Sequence, residues 1–316
     1  MKTAKWIVLF LITAFSSQAE ELYTAAYGSN TNPAIIFFHG GPGFNSTTFE
    51  YTTAQELADK GFYVIIYDQR GSGRSKDVSP AEYTFEECNT DIEFLYKKYS
   101  LSKAALMGHS WGGTVAIKYA SAHIGKVTSI ILISSPIIYQ QTLKSIADKC
   151  KKIYAARPSE KDYIAIFDKM DTTSLDYALF CLKHAVNIKT GFYSPENPTE
   201  DAQKIWRRYM RKLMDSDDSN LSDENSDPIT GFYKNEHWTT LDLSASLIEL
   251  NKKVNIYGIY GAEDGLFESP QLNKLKSIIG NKNFLLVDNS AHSVFCDQQE
   301  TFLMFVSDAL KNGKPH

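Results

Sequence analysis

The pentapeptide Gly108-His109-Ser110-Trp111-Gly112 has the G-x-S-x-G spacing. That spacing sets a serine on a sharp turn between a strand and a helix, with its hydroxyl clear of the sheet. Glycines flank such a serine because the backbone there is strained and a Cβ on either side collides with the turn. A serine hydroxyl is a weak nucleophile until a base takes its proton and an acid orients that base. Around this kind of turn the chain order is serine, acid, histidine. Asp264, in Gly261-Ala262-Glu263-Asp264-Gly265, and His292, in Asp288-Asn289-Ser290-Ala291-His292-Ser293, meet that order. His292 is expected to take the serine proton through one ring nitrogen. Asp264 would hold the other nitrogen and stabilise the imidazolium. Glu263 is the alternative acid, and Asp288 lies too close to His292 to orient it well. His39 and His109 precede the acid in the chain and suit supporting places.

Attack on a carbonyl also needs donors for the oxygen that becomes negative. His39-Gly40-Gly41-Pro42-Gly43 supplies a glycine loop that can approach closely, so the N–H groups of Gly41 and Trp111 are the expected pair. The structural alternative is an ordinary glycine-proline turn. Asp68-Gln69-Arg70-Gly71-Ser72-Gly73-Arg74-Ser75 lacks the lysine and spacing of a phosphate loop. Arg70 and Arg74 are read instead as braces for the surrounding loops. Asn45-Ser46-Thr47 is a formal glycosylation sequon but reads better as the cap of the next helix.

These residues need a sheet to present them. Short apolar runs at Ala34–Phe38, Phe62–Tyr67, Ala104–Met107, Val127–Ile133, Val254–Tyr260 and Asn283–Val287 read as strands, with Leu22–Tyr27 as an edge. Helical patterns alternate with them, which predicts an α/β fold of about seven mostly parallel strands. Helices are expected over Thr48–Lys60, over Phe85–Tyr99 behind a Thr84/Glu87 capping box, after Ser269-Pro270, and over Gln298–Leu310. The alternation stops over 137–247, where helical periodicity runs without strands. The chain therefore divides into a core of 20–136 and 248–316 and a helical cap of 137–247. A cap that follows a strand end lies over the edge where open α/β sheets bind ligands.

The chain has 316 residues, 43% of them hydrophobic, and a net charge of -4. The charge argues against a nucleic-acid partner. Lys2 and Lys5, the apolar run Trp6–Phe15 and Ser17-Gln18-Ala19 read as a signal peptide over 1–19, cleaved after Ala19. The mature chain is expected to be secreted or periplasmic, with no stable membrane insertion. Cys88, Cys150, Cys181 and Cys296 could then form disulfides. A Cys150–Cys181 bridge within the cap would close a loop of about thirty residues, stabilising by about 3 kcal/mol. Free buried thiols are the alternative. Nothing in the spacing implies a metal or an organic cofactor, and oligomeric state is left open.

In this order, HGGPG, DQRGSGRS and GHSWGG resemble the proline iminopeptidase family of α/β-hydrolases, the S33 serine aminopeptidases. The resemblance covers about Ala34 to Ser135 and resumes from about Val254 to Leu310. It implies an eight-strand-type sheet with a helical cap after the sixth strand, and release of N-terminal residues, often proline, from peptides. It also supports Ser110, Asp264, His292, Gly41 and Trp111 in the roles above. Two departures stand out. Only fourteen residues, Glu20 to Pro33, precede the HGGPG strand in the mature chain, so the sheet should be one strand short at its edge. The family's amine-binding glutamate follows a W-x-x-W pair, whereas here Trp206-Arg207-Arg208-Tyr209 leads to Met210. Glu236, in Asn235-Glu236-His237-Trp238, is the candidate replacement for the substrate amine, with a solvated loop glutamate as the alternative. The expected activity is an aminopeptidase acting through an acyl-enzyme. An ester or amide hydrolase of small molecules is second, and a non-catalytic binding protein third. Ser110 excludes the aspartate-nucleophile epoxide hydrolases and dehalogenases of the same fold.

Overall fold

The computed structural model describes residues 21–216 and 225–311, so the expected leader lies outside them. Seven strands form one sheet: β1 (Thr24–Tyr27), β2 (Ala34–Phe38), β3 (Tyr63–Tyr67), β4 (Ala104–His109), β5 (Val127–Ile133), β6 (Asn255–Gly261) and β7 (Phe284–Val287). Their order across the sheet is β1-β3-β2-β4-β5-β6-β7. Only β1 is antiparallel, with Thr24 opposite Tyr67. The parallel strands are mainly apolar because both faces are largely covered, with polar residues such as Thr128, Ser129 and Asn255 toward their starts. In β3, Tyr63, Ile65 and Tyr67 enter one hydrophobic cluster, while Val64 and Ile66 enter the other.

The first helices are α1 (Thr47–Phe49) and α2 (Gln55–Asp59), joined by a π-helical turn at Glu50–Ala54, then α3 (Phe85–Lys98) and α4 (Trp111–Ala122). Thr84 caps α3 through the Glu87 N–H as expected. The Glu87 carboxylate turns back instead to the N–H groups of Glu82 and Tyr83. Between β5 and β6 come α5 (Tyr139–Ala155), α6 (Asp162–Lys169), α7 (Leu175–Ile188), α8 (Glu200–Met214), α9 (Ser226–Glu236) and α10 (Ser244–Leu250). This insertion follows the fifth strand and not the sixth as expected, because a single strand, β1, precedes β2. The chain closes with α11 (Ser269–Ile279), α12 (Val294–Asp297) and α13 (Gln299–Lys311). Glu268, one residue earlier than expected, caps α11, and Pro270 sits in its first turn.

The expected Cys150–Cys181 bridge is a correction: all four cysteines are free. Cys150 and Cys181 are fully buried on α5 and α7, and Cys181 Sγ donates to the Leu143 carbonyl at 3.6 Å. Burial pushes both thiols up to about 12. Both are therefore protonated at neutral pH and pack as small apolar groups.

Strand order also fixes where a site can form. The chain leaves β2 toward β3 on one side and leaves β4 toward β5 on the other. Their two following loops therefore part and open a crevice at the carboxyl edge. The HGGPG segment and Ser110 are those two loops.

Candidate active site

Ser110 stands at φ 51° and ψ -121° between β4 and α4. Such a backbone costs a residue with a side chain about 1–3 kcal/mol, and the surroundings must hold it there. They do so tightly. A Cβ on Gly108 would lie 2.4 Å from the Gly112 carbonyl, and one on Gly112 would lie 2.1 Å from the Phe38 oxygen. Main-chain bonds from Ser110 N to Ile133 O (2.9 Å) and from Gly113 N to Ser110 O (3.0 Å) fix the turn.

The HGGPG loop borders this serine. A Cβ on Gly40 would come within 3.3 Å of the Ser110 Cβ, and Gly41 takes φ +136°. Trp111 is the first residue of α4, so no carbonyl of its own helix can accept its N–H. That N–H also lies at the positive end of the helix dipole. His39 shapes the loop from within. Its Nε2 accepts the Gln69 N–H at 2.8 Å, which leaves Nδ1 to donate to the Gly40 carbonyl at 2.7 Å. Burial lowers its pKa, keeping the ring neutral.

Arg74 binds Asp68 through Nε at 2.7 Å and Glu50 at 2.8 Å. Arg70 grips Asp91 at 2.6 Å and the Pro80 carbonyl at 2.8 Å. Both arginines are thus braces, as their position after β3 suggested. Asn45 Oδ1 accepts the Thr47 N–H at 3.0 Å just ahead of α1, whose cap position is Ser46.

Asp264 and His292 meet on the loops that follow β6 and β7. His292 Nδ1 donates to Asp264 Oδ2 at 2.8 Å, and both residues are buried. The other carboxylate oxygen of Asp264 accepts the Leu266 N–H at 3.1 Å. With Nδ1 so engaged, the Nε2 lone pair is the one available to a proton. Glu263, the rival acid, points elsewhere and accepts the Glu196 N–H of the cap at 2.6 Å. The two loops are bonded directly, Ala262 N to Val287 O and Glu263 N to Ser290 O. The elbow reaches the histidine loop through its neighbour. His109 Nε2 donates to the His292 carbonyl at 3.0 Å, with the rings 4.8 Å apart. Burial, reinforced by the nearby His292, drives the His109 pKa well below the usual histidine value. It is a neutral donor, not a base.

The insertion supplies walls that its composition did not reveal. Tyr193 meets His292 edge-on at 5.2 Å, and Phe232 packs against Trp111 at 4.8 Å. Lys149 donates to the Gly191 carbonyl and holds the strand of loop that carries Tyr193. Their only signal in the sequence is aromatic residues within a segment read as a cap. Glu236 Oε1 accepts the Phe85 N–H at 2.7 Å at the start of α3, and Phe85 stacks on Trp111 at 5.7 Å. The candidate amine ligand is therefore one ring removed from the elbow. A cleft between core and cap opens beside the loop, lined by Pro42, Gly43, Arg70, Tyr83 and Phe232. Among the described residues, no three His, Cys, Asp or Glu side chains group to hold a metal ion.

Comparison with known proteins agrees with this architecture. A proline iminopeptidase of Lactobacillus helveticus is 38% identical over 120 residues, 37% of this chain and 40% of that protein. A proline iminopeptidase of Clostridioides difficile is 26% identical over 91% of this chain and 94% of its own. The structure of a proline iminopeptidase-related protein from Thermus thermophilus superposes with a TM-score of 0.64 at 18% identity, covering 92% of this chain and 93% of the other. The model of the alpha/beta hydrolase fold matches residues 33–299. The chain belongs to the α/β-hydrolase family.

Proposed function

We propose that this hydrolase is an exported serine aminopeptidase that releases N-terminal residues from peptides. Ser110 attacks the carbonyl of the first residue while His292 Nε2 takes its proton, and the Asp264 carboxylate stabilises the imidazolium. The backbone N–H groups of Gly41 and Trp111 receive the oxyanion. The imidazolium then protonates the departing amine, and a water activated by the same ring hydrolyses the acyl-enzyme. The observation that carries this reading is the 2.8 Å Asp264–His292 bond, on a loop that His109 ties to the neighbouring serine held at φ 51°. Near-full-length similarity to a proline iminopeptidase supports the choice of an aminopeptidase. Small carboxylic esters or amides are the second substrate class for the same machinery.

An aminopeptidase must recognise a protonated amine beside the scissile bond, and a carboxylate shielded from water is the economical partner. Glu236 is the proposed partner, through the oxygen that Phe85 does not use. Turnover of L-prolyl and L-alanyl p-nitroanilides, free and N-acetylated, tests both points. Acetylation should abolish turnover, and Glu236→Gln should raise KM for the free substrates several-fold with kcat little changed. Equal turnover of free and acetylated substrates would favour the esterase or amidase reading. A Glu236→Gln variant with unchanged KM and a lower Tm would assign the residue to capping α3 alone.

A further inference from the structure

Asp297 is a buried carboxylate that the proposed reaction does not use. It ends α12, five residues after His292, and is 2% exposed. Its Oδ2 accepts the Ala291 N–H at 2.9 Å and lies 3.5 Å from the Ser290 hydroxyl. Its Oδ1 lies 3.5 Å from Trp206 Nε1, at the long limit of a hydrogen bond, and Trp206 belongs to α8 of the insertion. Removing a carboxylate from water is costly unless its lone pairs are satisfied. Here the donors are two groups of the histidine loop and one of the cap.

The proposal rests on the triad reading above. We propose that Asp297 is the positioning residue for His292, fixing the histidine loop through the Ala291 N–H and tying that loop to the cap through Trp206.

Three tethers then act on one residue. Asp264 holds the His292 ring, His109 holds its carbonyl, and Asp297 holds the peptide N–H just before it. The first two belong to the core. Of the three, Asp297 is the one that also contacts α8 of the insertion, so a shift of that helix bears on the histidine loop through this carboxylate. Among ionisable groups, Asp264 acts on this carboxylate, while Cys296 beside it in α12 feels the charges of both Asp297 and Arg208 of α8. Burial first, and then the like charge of Asp264, raise the Asp297 carboxyl to about 6 against the pull of its donors. It is therefore mostly an anion at neutral pH.

The test compares Asp297→Ala, Asp297→Asn and Trp206→Phe with the wild type. It follows kcat and KM for the best p-nitroanilide or p-nitrophenyl ester across pH 5 to 9, with Ser110→Ala alongside. Asp297→Ala should lower kcat by about 10- to 100-fold with KM within about threefold, because the base is misplaced while the pocket is kept. Asp297→Asn still offers an oxygen to the Ala291 N–H and should recover most of that loss. Recovery with Asn, which keeps the accepting oxygen at the same place, assigns the loss to the hold on the Ala291 N–H, and a residue that only fills space would not show it. Trp206→Phe should lower kcat by about two- to fivefold. If Asp297→Ala does not fold, Asp297→Asn and Trp206→Phe still decide the matter. A kcat unchanged in Asp297→Ala overturns the proposal. So does a loss confined to KM, or an Asp297→Asn variant as impaired in kcat as Asp297→Ala. Turnover by Ser110→Ala would instead overturn the triad reading itself, so the two failures are told apart.

Discussion

Ser110→Ala and His292→Ala should each lower kcat by about 10⁴- to 10⁶-fold on whichever substrate the wild type turns over best. At 1.36 kcal/mol per tenfold, that is about 5 to 8 kcal/mol of transition-state stabilisation. The loss is large because the two groups act as one unit. Without the imidazole the hydroxyl keeps its proton, and without the hydroxyl the imidazole has no nucleophile to serve. The double variant should therefore be little worse than either single one. Neither change should unfold the protein. Main-chain bonds from Ser110 N to Ile133 O and from Gly113 N to Ser110 O hold the elbow, and alanine leaves those intact, so Tm should stay within a few degrees. Steady-state kinetics with thermal melts on the same preparations check both statements. A loss of activity matched by a collapse of Tm would remove the catalytic interpretation.

The second large effect separates two adjacent carboxylates. Asp264→Asn should cost about 10²- to 10⁴-fold in kcat, because an amide opposite Nδ1 favours the wrong tautomer and cannot stabilise the imidazolium. Glu263→Ala should change kcat by less than about threefold, since its carboxylate is engaged with the Glu196 N–H rather than the imidazole. Its effect should fall on stability, through the lost tie between the β6 loop and the cap. Kinetics of the two variants on one substrate decide the assignment. A crippled Glu263→Ala beside an active Asp264→Ala would reverse it.

The sheet and the elbow were legible because their causes are local. A parallel strand covered on both faces must be apolar at successive positions, and Val127–Ile133 and Ala34–Phe38 are so along nearly their whole length. Both strands occupy the expected residues. Asp264 and His292 were legible because each directly follows such a strand. What escaped depends on partners distant in sequence. The π-turn at Glu50–Ala54 carries a buried glutamate that accepts the Tyr23 and Tyr27 hydroxyls and pairs with Arg74. No pattern within Thr47–Asp59 announces that. Cys150 and Cys181 lie thirty-one residues apart in the chain, and spacing cannot tell packed thiols from a bridge. Glu236 stood out for its aromatic and histidine neighbours, yet the bond it makes is to a backbone N–H 151 residues away. Asp297 had no motif at all, and its place is visible only once Trp206 and Ala291 converge on it.

The central claim is that Ser110 is the nucleophile of an acyl-enzyme. Intact-mass analysis of the purified protein with a fluorophosphonate, followed by peptide mapping, tests it directly. One adduct per chain is expected, on the peptide carrying Ser110, formed in step with loss of turnover, absent in Ser110→Ala and strongly slowed in His292→Ala. Full turnover by a chain whose Ser110 is completely modified, or an inactivating adduct on a different residue, would contradict it.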